Sequence, residues 1–450
     1  MASLNRAEFL QAAAALALVR RLDLTPGTNL QQFASRPDLK PPRLTTRGGT
    51  GDFVFLAPSS GPGQRGAMIA DGRGGLVWFH PTNPSSVMDF KVQRLHGKPV
   101  LTWWEGKSPH GIPKGEWVVA DETYAELARF GPARGRNGDL HEFVISPENT
   151  ALVACTEIVP WRHGTIVDGI VQELELPSGR LIREWRSLDH VGPDETELKA
   201  RPGPRYDYFH VNSIDVAPNG NLLVGARNTW AAYELDRRTG RVLRRIGGRR
   251  SDVTFGPGAR FWWQHDVRFH GGTTLTVFDN GAAPAEEKQS RALLLRDGGR
   301  HITLERAFVH RPQLVLSHYM GNAQLLPNGH MVVGWGGSPY VTEFAADGTI
   351  VFDAALPRGG QSYRAFRSAW NGRPTRPPDV AAQNGSVHVS WNGATGVASW
   401  QLVEDGRATQ TVARTGFETA LQPAPGTRRV AAVALDAAGA ALARSATIEV

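Results

Sequence analysis

Between about Gly51 and Trp370 the chain keeps returning to one scheme: short strand-like runs broken by Gly, Asn and Asp turns, recurring every ~45–60 residues. Six such units begin near Phe53, Asp89, Asp139, Phe209, Gln264 and Ser317. The fourth is the clearest. Val211 to Val216 turns at Pro218-Asn219-Gly220, Asn221 to Arg227 returns, Trp230 to Leu235 follows, and a turn at Arg238-Thr239-Gly240 leads into Val242 to Ile246. The sixth repeats this with turns at Pro327-Asn328-Gly329 and Ala346-Asp347-Gly348. A four-stranded meander of this size cannot bury both faces alone, so neighbours must stack side by side. Period and strand count predict an all-β protein built on a six-bladed β-propeller.

Four of the units carry a histidine near the start of the strand that would line the central channel. They are His141 in Asp139-Leu140-His141-Glu142-Phe143, His210 in Phe209-His210-Val211-Asn212-Ser213, His265 in Trp263-Gln264-His265-Asp266-Val267, and His318 in Ser317-His318-Tyr319. Stacking in a ring would bring the four imidazoles to one mouth of the channel. Residues two apart on a strand share a face, so Asn212 is expected beside His210. Arg227, after the following hairpin, is expected close by. Arg, Asn and His together form a cup of donors for an oxyanion.

After Trp370 the texture changes. The predicted propeller covers residues 47–370, behind an N-terminal segment of residues 1–46. Arg373-Pro374-Thr375-Arg376-Pro377-Pro378 marks a stiff linker, residues 371–378. Residues 379–450 then alternate with period two around Trp391 and Trp400, as in a small immunoglobulin-like or fibronectin type III-like β-sandwich.

Composition narrows the function classes. Hydrophobic residues make up 41% and charged residues 21% of 450, which suits a soluble globular protein. The formal net charge is +7, and only seven of the 50 basic residues are Lys. The densest stretch, Arg237-Arg238 to Arg249-Arg250, is interrupted by Gly and apolar residues. It reads as solvated blade edges, or as an attractor for a small anion, and not as a nucleic-acid arm. Cys155, the one cysteine, excludes an intramolecular disulfide and sits in a buried-strand context. Near the N-terminus, Arg6-Ala7 followed by the apolar run Ala12 to Val19 looks like a degenerate twin-arginine export signal. That suggests an extracytoplasmic location, while a cytoplasmic one stays open. The run is too short to span a membrane.

Other motifs carry less chemistry. Gly61-Pro62-Gly63-Gln64-Arg65-Gly66 matches a dinucleotide fingerprint in letters, but no helix follows and a turn is expected. Asp279-Asn280-Gly281 with Glu286-Glu287 matches no defined calcium loop and reads as a solvated turn. Four lone histidines on separate units lack the paired spacing usual for metal ligands. No metal or other cofactor is called for.

At these residues the chain resembles the arylsulfotransferase family, particularly its Gram-positive and fungal branch. The resemblance rests on Asp89-Phe90, Gly97 to Gly106, Asp139-x-His141-Glu142-Phe143, His210-x-Asn212-Ser213-Ile214-Asp215, Gln264-His265-Asp266-Val267-Arg268, and Leu326-Pro327-Asn328-Gly329 with Gly334-Trp335-Gly336. It implies transfer of a sulfuryl group from an aryl sulfate donor to a phenolic acceptor through a sulfo-histidine, without nucleotide sulfate. The family's His-x-Asn and following Arg match His210, Asn212 and Arg227. Its upstream active-site His matches His141, and its nucleophile matches His265, with His318 as the fallback. The residue chemistry suits this assignment. A neutral imidazole is a competent nucleophile, and sulfuryl transfer, like phosphoryl transfer, loads charge onto non-bridging oxygens. Two other readings stay open: a non-catalytic propeller that binds an anionic or aromatic ligand, and a metal-assisted propeller lyase or hydrolase.

Overall fold

The computed structural model describes residues 30–199 and 205–450. Among these the protein is all-β, and helix appears only as five 3-10 turns of three residues each. The export-signal-like pattern, Arg6 to Val19, lies outside the described residues.

Six sheets, antiparallel apart from two short parallel pairings (Thr165↔Arg205 and Thr254↔His301), follow one another along the chain, each ordered from an innermost to an outer strand. The innermost strands of the second to sixth sheets are Ser86–Leu95, Asn137–Ile145, Val211–Val216, His265–Phe269 and Asn322–Leu325. Each touches the next, and Gln361–Ser368 completes the circle against Ser86–Leu95 and Asn322–Leu325. The result is a propeller-like ring. Its closure differs from the sequence expectation. Phe53, which opens the first unit in the sequence, lies on the second strand of its sheet. The innermost strand there is Gln361–Ser368, from the far end of the region, paired through Phe53↔Ser368 and Phe55↔Phe366. Thr45–Gly48 in turn forms the outer edge of the sixth sheet, against Ile350–Ala355.

Period-two alternation explains why the sheets stack. In the fourth sheet Leu222, Val224 and Ala226 face the third sheet, whereas Leu223 faces the fifth. Adjacent Trp103 and Trp104 divide the same way, one against the first sheet and the other against the third. Each pair of neighbouring sheets thus encloses its own apolar cluster. Cys155 belongs to the cluster between the second and third sheets, where burial pushes its thiol well above the usual range. Within the Arg237 to Arg250 stretch, Arg237, Arg244, Arg245, Arg249 and Arg250 are drawn into ion pairs with Glu148, Glu173, Glu195, Glu197, Asp194 and Asp297. The stretch does not form an open anion-attracting stripe.

The channel is filled by charge. Arg364 is 2% exposed; its Nη1 meets Asp89 Oδ1 at 2.8 Å and Glu142 Oε2 at 3.0 Å, and its Nη2 donates to the Asn212 carbonyl at 2.8 Å. Lys91 Nζ holds Asp89 and Glu142, each at 2.7 Å. Arg268 bridges Asp266 and Glu142. Asp266 Oδ2 accepts the Ala323 amide at 3.0 Å, which brings in the sixth innermost strand. Three cations meet three carboxylates, so little net charge is left in a low-dielectric site. Asp89 (φ 54°) and Asp266 (φ 55°) adopt left-handed backbone to aim their carboxylates into this hub.

Beyond the ring, Asp379–Gln383, Ser386–Ser390 and Glu418–Leu421 form one sheet. Ser399–Glu404, Arg407–Ala413 and Arg429–Leu435 belong to a second, and the two share a core around Trp400. Polar contacts tie this unit to the ring: Asn392 exchanges hydrogen bonds with Phe79, and Tyr124 donates to the Gly393 carbonyl at 2.7 Å.

Removing one member of a buried ion network leaves its partners unpaired, at a cost of about 3–5 kcal/mol. Arg364→Ala should therefore lower unfolding free energy by that order in denaturant titration. Arg180→Ala, on a surface pair with Glu175, should leave it unchanged. Equal effects would show that the hub does not hold the ring.

Candidate active site

The left-handed backbone that serves the hub also shapes the mouth above it. His141 lies within its innermost strand, His210 immediately precedes Val211–Val216, and His265 opens His265–Phe269. The ring centroids of His141 and His210 are 4.7 Å apart, and those of His141 and His265 are 6.4 Å apart. His318 does not join them. It lies in the loop before Asn322–Leu325 and is exposed, and what it brings to the site is its carbonyl, which accepts Arg227 Nη2 at 2.9 Å.

Each of the three converging imidazoles has its own orienting partner. His141 Nδ1 bonds Asp139, whose carboxylate also accepts the His141 amide at 2.9 Å. His210 Nδ1 bonds Asp207 at 2.5 Å. Burial presses His210 toward its neutral form, but the adjacent Asp207 carboxylate outweighs this and raises its pKa above the ordinary histidine value. His265 is 1% exposed and shifts the other way. Burial first, then the positive charge of Arg227, holds it well below the usual range and therefore neutral near pH 7. Its tautomer follows from the network. Asn280 Nδ2 donates to the Ser317 and Met320 carbonyls at 2.9 and 3.0 Å, so Asn280 Oδ1 must accept from His265 Nδ1 at 2.7 Å. The lone pair is left on Nε2, met only by the Met320 amide at a long 3.3 Å.

Arg227 follows strand Leu222–Ala226 in a 3-10 turn and lies over the Trp263 ring at 4.8 Å. Its polar contacts are neutral: Asn228 Oδ1 at 3.1 Å and the carbonyls of His318 and Ala282. Burial draws its pKa down to about 10 against the opposing charge of Asp207, and among the described residues no carboxylate oxygen bonds it directly. A half-buried guanidinium with no directly bonded carboxylate, beside a neutral imidazole, is suited to an anion.

Asn212 departs from expectation. Positive φ at His210 (62°) and a register irregularity between Val211 and Ser213 break the strand alternation. Asn212 is fully buried, and its Nδ2 donates to the Gln264 carbonyl at 2.5 Å, joining two neighbouring innermost strands. Asn322 does the same job in the sixth sheet, exchanging bonds with Ala365 without any histidine two residues before it. Asn212 is thus a staple between sheets and not part of the cup. The Asp279-Asn280 turn also differs from expectation. Both residues are fully buried, Asp279 pairs with Arg291, and Asn280 orients His265. Burial raises the Asp279 pKa to about 6.

Sequence reasoning missed three contributors. Asp207 is three residues before His210, a spacing that on a regular strand would point it away. Asn280 is hidden in a turn motif. Tyr363 reaches the site only through ring closure; its hydroxyl donates to the His141 carbonyl at 3.0 Å, and its ring meets His141 edge-on at 5.5 Å. Among the described residues no three His, Cys, Asp or Glu side chains are grouped to hold a metal ion.

Residues 91–356, more than half of the chain, match the family model described as Arylsulfotransferase (ASST). The chain belongs to the arylsulfotransferase family. That places it among sulfotransferases. No curated protein matches the chain. Among solved structures it is similar to a protein of unknown function from Bacteroides caccae, at 13% identity and a TM-score of 0.46, covering 71% of this chain and 99% of that one. It is also similar to virginiamycin B lyase from Staphylococcus aureus, at 8% identity and a TM-score of 0.36, covering 78% and 96%. The Dos1 propeller is a third, at 11% and 0.34, covering 89% and 93%. No helix among the described residues of this arylsulfotransferase-family chain is long and apolar enough to cross a membrane.

The opposed shifts of His210 and His265 set a pH window. With His265 already neutral, kcat/KM should fall only as pH rises through the raised His210 pKa. Asp207→Asn removes the cause of that rise, so the alkaline limb should move to lower pH. An unmoved limb in pH–rate profiles would dissociate His210 from the chemistry.

Proposed function

We propose that this protein transfers a sulfuryl group from an aryl sulfate to a phenol through a sulfo-histidine on His265, within a six-bladed propeller spanning residues 47–370. The observation that carries this is Arg227, a half-buried guanidinium without a carboxylate partner, set beside a neutral imidazole whose Nε2 bears the lone pair.

In the first half-reaction His265 Nε2 forms a bond to sulfur as the bond from sulfur to the aryl oxygen breaks. Arg227 takes charge that develops on the non-bridging oxygens. His210, whose protonated form Asp207 favours, passes its proton to the departing phenolate, and the phenol leaves. In the second half the acceptor phenol returns a proton to His210 as its oxygen bonds sulfur. The N–S bond breaks and His265 is again neutral. His141, oriented by Asp139, flanks the departing and entering oxygens. The long Met320 contact is the one bond His265 Nε2 must give up. A phenolate is a better leaving group than an alkoxide, which favours aryl over alkyl sulfates.

Two further assignments accompany this one. Residues 379–450 are read as a fibronectin type III-like sandwich carried after a Pro-rich linker of residues 371–378, in a member of the Gram-positive and fungal branch. The N-terminal pattern supports export from the cytoplasm.

Incubation with a chromogenic aryl sulfate tests the reaction. Phenol release should rise when an acceptor phenol is added. His265→Ala should abolish release and transfer together, because both need the covalent intermediate. Arg227→Lys should cost roughly 10²-fold in kcat/KM, since a point charge cannot replace a planar fork. Binding of the aryl sulfate without any release of phenol would instead make the site a non-catalytic receptor.

A further inference from the structure

Two hairpins outgrow the ring above the histidines. Strands Thr150–Trp161 and Gly164–Glu175 have twelve residues each, whereas the corresponding strands of the next sheet, Leu222–Ala226 and Ala231–Leu235, have five each. The innermost strand pairs with the first of them only as far as Asn137↔Thr156. The hairpin itself stays paired to Trp161↔Gly164. Past Thr156 it therefore continues beyond its innermost strand, and its outer side is held by the short parallel strand Arg205–Tyr206 through Thr165↔Arg205 and Ile166↔Tyr206. The turn between Lys107 and Lys114 stands beside it and contributes Ile112.

Between these projections lies a cavity of about 220 Å³. Its floor is His141 and His210 with their carboxylates, Asp139 and Asp207. Its walls include Ile112 and the cross-strand partners Ile158 and Val167, all three half-buried. Apolar side walls over a polar floor suit an aromatic ring whose reacting oxygen points down.

Two arginines stand at the rim. Arg205 lines the cavity, and its Nη2 donates only to the His110 carbonyl, at 2.9 Å. Arg162 at the hairpin tip lies on the Trp161 ring at 4.2 Å. Among the described residues neither has a carboxylate partner, whereas Arg129, Arg136, Arg186 and Arg237 on nearby surfaces all do. Charge on this rim is left open toward the cavity mouth.

We infer that this cavity is the aryl subsite and that it selects aromatics carrying a carboxylate remote from the reacting oxygen, which Arg205 meets at the rim. The inference rests on the sulfotransfer reading above and adds to it the class of aromatic. A neutral phenol can enter, but it leaves Arg205 without a charged partner. A carboxylated one spans the cavity from the His141 and His210 floor to that guanidinium.

Equilibrium binding to the full chain tests this independently of turnover. Calorimetric titration compares 4-hydroxyphenylacetate with its neutral isostere, 4-hydroxyphenylacetamide. The acid should bind about fivefold more tightly, the scale of one partly exposed ion pair. Arg205→Ala should erase that preference and leave the amide unchanged. Ile158→Trp, a filling change on a half-buried wall above the ring, should weaken both. Equal affinities in the unsubstituted protein, a preference that survives Arg205→Ala, or binding indifferent to Ile158→Trp would each overturn the assignment. Should aryl sulfate turnover be absent while this binding pattern holds, the reaction fails and the subsite stands. Turnover without the pattern overturns the subsite alone.

Discussion

Everything at the mouth of this ring depends on the guanidinium of Arg364. It extends from one innermost strand and reaches groups on four others: Asp89, Glu142, Asn212 and Asp266. With Lys91 and Arg268 it balances the three carboxylates, and the sixth strand joins through the Ala323 amide. Apolar clusters between sheets supply most of the burial, but they are non-directional. The hub is directional, and so it sets how far each innermost strand projects into the channel.

That registration reaches the histidines directly. Glu142 follows His141 and Asp266 follows His265, so each acid anchored in the hub fixes the imidazole one residue before it. Tyr363, the residue before Arg364, holds the backbone of His141 and Asn212 through its hydroxyl. The plug therefore does two jobs. It closes the channel below the site, and it holds three imidazoles within one cluster although they come from three separate sheets. Neighbouring groups then differentiate these similar imidazoles: Asp207 favours the charged form of His210, whereas His265, faced by an amide and a guanidinium, is held toward its neutral form.

The strand scheme and the meeting of His141, His210, His265 and Arg227 were legible in the sequence, because period two and turn chemistry are local signals. What escaped was non-local. Gln361–Ser368 gave no sign that it would pair with Phe53–Ser60, since nothing between them announces ring closure. Asn212 escapes the period-two reading because His210 takes left-handed backbone there. His318 shares the position of the other motif histidines along its unit, yet it ends up exposed while its carbonyl serves Arg227. Asp207 and Asn280 have ordinary neighbours in the sequence, and only the folded ring reveals what they orient.

The central claim is that sulfur is held covalently on one imidazole, and mass spectrometry of enzyme quenched during turnover tests it most directly. With excess aryl sulfate and no acceptor, intact mass should show a single acid-labile sulfuryl group. Fragmentation should place it on His265 and not on His141, His210 or His318. A protein that turns over aryl sulfate without gaining that mass, or that carries it on another side chain, would contradict the account.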